Sequence, residues 1–185
     1  MHHSRWLVLI TMAMLACTAP FDPTALSVCT PRPDFMPPLA PSEPFGHHDD
    51  LWAVAARVVP GGWAGMFLDF DDGVLTANFV DPSQQAEATQ ALLEFGIDIR
   101  GARVRQVRWD FAQLYDWYSY VNRRVWELDG LTFTDIDEVR NRLVYGAVDE
   151  KTQEMFTTVL GSMALPCELV IVEVRGFVVL DAVLD

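Results

Sequence analysis

One pattern of elements is written twice, and this constrains the fold more than anything else in the sequence. After Asp49-Asp50, residues Leu51, Trp52, Val54, Ala55 and Val58 recur at helical spacing, and Pro60-Gly61-Gly62 ends the run. Met66–Phe70 and Val74–Val80 are short apolar runs on either side of Asp71-Asp72-Gly73, a hairpin signal. Asp81-Pro82 opens a second helix, with Ala88, Leu92 and Phe95 on one face and Gly96 at its end. Ala102–Val107 then reads as a strand. The order recurs from Asp110, whose partner Gln113 completes a capping box. Phe111, Leu114, Tyr115, Tyr118, Val121 and Val125 predict a helix; Leu131–Ile136 and Leu143–Val148 predict a hairpin around 137–142. Asp149 predicts a helix with Met155, Phe156, Val159, Leu160 and Met163 inward, and Leu169–Val174 a final strand. Asp81 and Asp149 hold matching places, and Leu92-Leu93 and Val159-Leu160 similar ones.

The expectation is therefore an α+β protein of two tandem helix-hairpin-helix-strand (αββαβ) lobes. Each lobe would be a small three-stranded sheet with helices on one face, because such a sheet must bury its apolar side against helices. The first lobe spans 49–109. The second spans 110–185 and includes a C-terminal tail with the apolar run Phe177-Val178-Val179-Leu180. With 51% apolar residues and six Trp, the chain can fill a core of that size.

The first 48 residues have a different character. A basic start and an apolar run to Ala16 read as a secretory signal over 1–16, too short to span a bilayer as a stable helix. Met14-Leu15-Ala16-Cys17 resembles a bacterial lipobox, which implies lipidation of Cys17 and an exported, membrane-anchored protein; secretion is the other reading. Residues 17–48 would then be a tether. Pro20, Pro23, Pro31, Pro33, Pro37, Pro38, Pro41 and Pro44 make it extended and semi-stiff. If Cys17 carries lipid, Cys29 and Cys167 remain as candidates for a disulfide in an oxidising compartment.

A net charge of −13 argues against nucleic acid and against electrostatic binding to an anionic membrane surface, so any membrane association would run through the lipid anchor. Catalytic chemistry is poorly supplied. His2, His3, His47 and His48 are the only histidines, none lies within 51–185, and Lys151 is the only lysine. His47-His48-Asp49-Asp50 lacks the spacing of a helical zinc site, and Asp69, Asp71 and Asp72 lack the alternating ligands of a calcium loop. Asp135 and Asp137 share one strand face and are the best pair for a carboxylate-dependent hydrolase, though a solvated strand face beside a turn is the favoured reading of them. No enzyme, cofactor or metal is expected. Arg100, Arg103, Arg105 and Arg108 form the basic cluster; Arg103 and Arg105 on one strand face, with Phe177 and Val179 in the tail, are the candidate partner-binding residues.

The stretch from Asp135 to Asp149, with the amphipathic helix before it and the Val-rich strand after it, resembles the pro-regions of bacterial chymotrypsin-like proteases of the α-lytic protease and streptogrisin type. The likeness covers 110–174, and 63–109 more loosely. In that family the pro-region assists folding of its protease and inhibits it tightly. A protease hairpin extends its sheet, and its C-terminal tail enters the active-site cleft. No protease domain occurs within these 185 residues. The resemblance thus implies a stand-alone protein-binding module whose partner is a chymotrypsin-like serine protease, with inhibition or folding assistance as the outcome. A structural cell-envelope lipoprotein without a protease partner is the alternative.

Overall fold

Polar residues set the helix starts. In the computed structural model, which describes residues 48–176, Asp110 and Gln113 close the predicted capping box at the start of α3 (Phe111–Val125). The Asp149 side chain accepts the Thr152 backbone N–H at 2.7 Å and opens α4 (Glu150–Gly161). Asp81 accepts the Ser83 N–H at 3.1 Å, but there the chain first makes a 3-10 turn over Pro82–Gln84, and α2 (Gln85–Glu94) follows. The remaining helix is α1 (His48–Val58).

The strands are β1 (Trp63–Asp69), β2 (Val74–Phe79), β3 (Arg103–Gln106), β4 (Leu131–Asp137), β5 (Arg142–Ala147) and β6 (Val170–Val174). They form two three-stranded sheets, ordered β1-β2-β3 and β4-β5-β6. In each, the hairpin is antiparallel, and the third strand lies parallel to the second after a crossover through α2 or α4. This is the expected α+β fold with two small sheet lobes. The repeat is exact in register: Trp63 corresponds to Leu131, Asp69 to Asp137, Gly73 to Asn141, Phe79 to Ala147, Asp81 to Asp149 and Leu92 to Leu160. Even the irregularities match, because the ladder shifts by one residue between Trp63 and Met66 and again between Leu131 and Phe133.

Three details differ from the sequence expectation. Strand β1 begins at Trp63 rather than Met66, because Gly65 sits inside the bulge at φ +88° and carries the chain through what reads as a breaker. The inward stripe of α1 is Trp52, Ala55, Ala56 and Val59, and Val58 is exposed. Met155 of α4 likewise faces outward, leaving Phe156, Leu160 and Met163 to pack.

The two halves share one core. Trp52 of α1, Trp63 of β1 and Phe111 of α3 meet with ring centroids 5.0–6.2 Å apart. The Arg57 guanidinium forks onto Asp116 at 2.7 and 3.1 Å, tying α1 to α3. Further along α3, Asn122 accepts the Tyr145 hydroxyl from β5 at 3.0 Å. Helix α3 therefore packs on the first lobe at its start and on the second at its end.

Gly146 of β5 lies under the Phe133 ring, and a Cβ there would fall 2.2 Å from ring carbons. We predict that Gly146→Ala costs roughly 1–3 kcal/mol of stability by overpacking. Adding Phe133→Ala should restore part of it, as a double-mutant cycle in urea denaturation would show.

Candidate functional site

The turn between β4 and β5 docks on the first lobe, and this contact fixes which surfaces remain open. Asn141 takes the left-handed conformation (φ 54°) that Gly73 takes in the first hairpin. Its amide is buried against the connection between lobes. The backbone N–H groups of Arg108 and Trp109 donate to Asn141 Oδ1 at 3.2 and 2.9 Å, and Asn141 Nδ2 donates to the Trp109 carbonyl at 2.8 Å. Next to it, the Glu138 carbonyl accepts from Asn78 Nδ2 and from Arg105 Nη2, each at 2.8 Å. Arg105 Nε donates to Asn78 Oδ1 at 3.0 Å, so the buried Asn78 is satisfied on both sides.

Of the two arginines expected to meet a partner, Arg105 therefore meets the second lobe of its own chain, and burial lowers its pKa. Arg103 pairs with Asp72 and, at 3.5 Å, with Asp69, bracing the first hairpin. Arg108 reaches Glu168 at 3.3 Å and lies over the Trp109 ring. Phe177, Val179, Cys17, Cys29 and His47 lie outside the described residues. Cys167, in the loop before β6, is disulfide-bonded; the sulfur it joins also lies outside them.

The acidic candidates are structural in their contacts. Asp69, Asp71 and Asp72 form the β1–β2 turn, where Asp69 Oδ1 accepts the Asp71 N–H and Asp72 Oδ1 the Val74 N–H. Asp137 accepts the Arg140 Nε at 2.6 Å. Asp135 lies on the outer face of the strand; partial desolvation and then the charge of Asp137 raise its pKa. No group of three or more potential metal ligands comes together among the described residues. His48 packs its ring 4.2 Å from Trp52.

One sheet edge among the described residues is the outer side of β4. Among the described residues this strand ends its sheet, with β5 on one side only. Beside it lies a groove of about 460 Å³ lined by Tyr118, Trp126, Leu128, Leu131, Phe133 and Thr134. Tyr118 and Thr134 share a hydroxyl hydrogen bond at 2.7 Å, which holds α3 against the strand. Trp126 is 69% exposed, and Thr132, at the bulge, has a buried hydroxyl with no hydrogen-bond partner. The far edge of the same sheet is partly covered, since Gln153 of α4 donates to the Val172 carbonyl at 2.7 Å. In sequence the lining residues read only as parts of a helix and of a strand. The groove needs the bulge at Thr132 and the register of β4, which local pattern does not reveal.

No protein-family model matches this chain, and no curated protein does. Among the described residues no helix is long and apolar enough to cross a membrane.

Burial of Glu138 against Gly65, followed by the nearby charges of Asp135, Asp49 and Asp137, pushes its pKa up to about 7 from 4.5. A raised carboxyl pKa means that the native state binds the proton more tightly than the unfolded chain. Its stabilising effect is complete below about pH 4.5 and is lost as pH rises through about 7. We predict that Glu138→Gln is more stable than the native chain at pH 8, by roughly 1–3 kcal/mol after discounting for partial exposure, and nearly equal at pH 4.5. Denaturant midpoints at the two pH values measure the difference.

Proposed function

We propose that this protein is a non-enzymatic binding module that accepts an extended segment of a partner protein on β4. The observation that carries the reading is the β4 edge, which no other described strand pairs, running beside an aromatic groove. An exposed edge offers a row of backbone donors and acceptors to an added strand, and an adjacent apolar groove takes that strand's side chains. Tyr and Trp, which line the groove, are the residues that dominate protein interfaces.

The sequence resemblance to protease pro-regions implies a chymotrypsin-like serine protease as the partner class, with inhibition or folding assistance as the result. In that family a protease hairpin extends the pro-region sheet, and β4 stands at the edge of the described β4-β5-β6 sheet. The signal-like first 16 residues and Cys17 support export and anchoring by lipid, with residues 17–48 as the tether. The Asp135–Asp137 pair gives little support to a hydrolase, because Asp137 is held by Arg140.

The full chain is expected to bind a bacterial chymotrypsin-like protease and slow its cleavage of a chromogenic peptide. Trp126→Ala, at an exposed position, should weaken that binding at least about ten-fold without loss of fold. Absence of binding to such proteases by surface plasmon resonance, with the native fold intact, would remove the protease from the reading and favour a structural envelope role.

A further inference from the structure

Exposed apolar side chains gather at the end of the second sheet where β6 leaves it. Leu131, Ala147 and Val174 lie side by side there, at the start of β4 and the ends of β5 and β6. Val174 is 44% exposed, and Val148, the residue after β5, 36%. The Val148 N–H donates to the Gly130 carbonyl at 2.9 Å, which sets it beside Leu131. Trp126, 69% exposed, stands in the groove that Leu128 and Leu131 also line. An apolar path thus runs from the last residue of β6 to the aromatic groove. Exposed apolar residues are ordinarily scattered singly, and a run of them that ends in a groove marks a surface that something covers.

The chain leaves β6 next to this path. The Arg175 N–H still donates to the Ala147 carbonyl at 2.8 Å. Its guanidinium is held by Glu173 at 2.9 Å and lies over the ring of Phe133, a groove residue, 5.3 Å from the centroid. Strand β4 is two strand spacings away, about 10 Å. Residues 177–185 reach roughly 30 Å when extended, enough to cross the sheet end and lie along the groove. All of them except Asp181 and Asp185 are apolar. The groove rim carries the exposed Arg123 and Arg124 and the exposed Glu127 and Asp129. Its charge is balanced, so an apolar segment suits it. A segment tethered this closely meets the groove at an effective concentration in the mM range, which outcompetes a free segment of equal affinity.

We propose that residues 177–184 fold back over the end of the second sheet and occupy the Trp126–Phe133 groove of their own chain. The tail is then a built-in competitor for the surface read above as a partner site, and a partner gains access by displacing it. Phe177 and Val179 thus act inside the molecule. The inference needs only the groove and the tail, whatever the partner is.

A peptide of residues 177–185, added to the full chain with no partner present, tests this. The native groove is already filled, whereas Phe177→Asp with Leu180→Asp in the full chain should empty it. The peptide should bind that variant at least about ten-fold more tightly than the native chain, read from the NMR amide shifts of β4. Adding Trp126→Ala should remove the gain. Amides on the outer side of β4 should also exchange at least about ten-fold faster in the tail variant. Serine replaces aspartate at both positions if the charges disturb the fold. Equal binding to the two chains, no binding to the tail variant, or unchanged exchange along β4 would overturn the proposal. Protection of β4 that rises with protein concentration would assign the groove to the tail of a second copy and overturn the intrachain contact. None of these results bears on protease binding.

Discussion

The docking of the β4–β5 turn onto the first lobe is the contact on which the rest of the architecture depends. It uses few atoms. Asn141 satisfies three backbone groups of the 108–109 connection, and the Glu138 carbonyl joins Asn78 to Arg105. Each of these groups is buried or half-buried, so losing a partner would expose the full cost of an unmet hydrogen bond rather than its small net value. The contact joins two small repeats into one body with a common core. It also removes Arg105 and the second hairpin from the accessible surface. Among the described residues, the β4 edge and the tip of the first hairpin are among the surfaces left exposed.

An open edge is a hazard, and the sequence treats it as one. The bulge at Thr132 interrupts the regular ladder, and Asp135 and Asp137 place charge along the strand. Both features discourage indiscriminate pairing between edges while leaving a short stretch that a matched strand can use. The aromatic groove gives selectivity to that stretch. Its free tryptophan face and the braced Phe70 tip are large apolar surfaces kept exposed on an otherwise acidic molecule, which is how an interaction surface differs from a scattered apolar residue.

Much of this was legible in the residues. Turn chemistry at Asp72-Gly73, the capping aspartates Asp81, Asp110 and Asp149, and the alternation of periods place every helix and strand within a few residues. These signals are local, and local signals survive in sequence. The start of β1 was missed because Gly65 resembles a breaker until its bulge and its neighbour Glu138 are seen together. The destinations of Arg103 and Arg105 were invisible for a related reason. Their partners, Asp72 and the Glu138 carbonyl, lie 31 and 33 residues away and are brought in by tertiary packing. The groove depends on the same long-range register, so its residues read only as parts of an amphipathic helix and a strand.

Asn141 couples the two lobes into one cooperative unit. Native-state hydrogen exchange on the Asn141→Ala chain tests this most directly. Because the 108–109 connection and both sheets are held by the same docked turn, amides of β2 in the first lobe and β5 in the second should lose protection together, by a similar free energy. If β2 and the α1–α3 contact keep their native protection while only the second lobe loosens, the lobes are independent and the docking contact is not what organises the molecule.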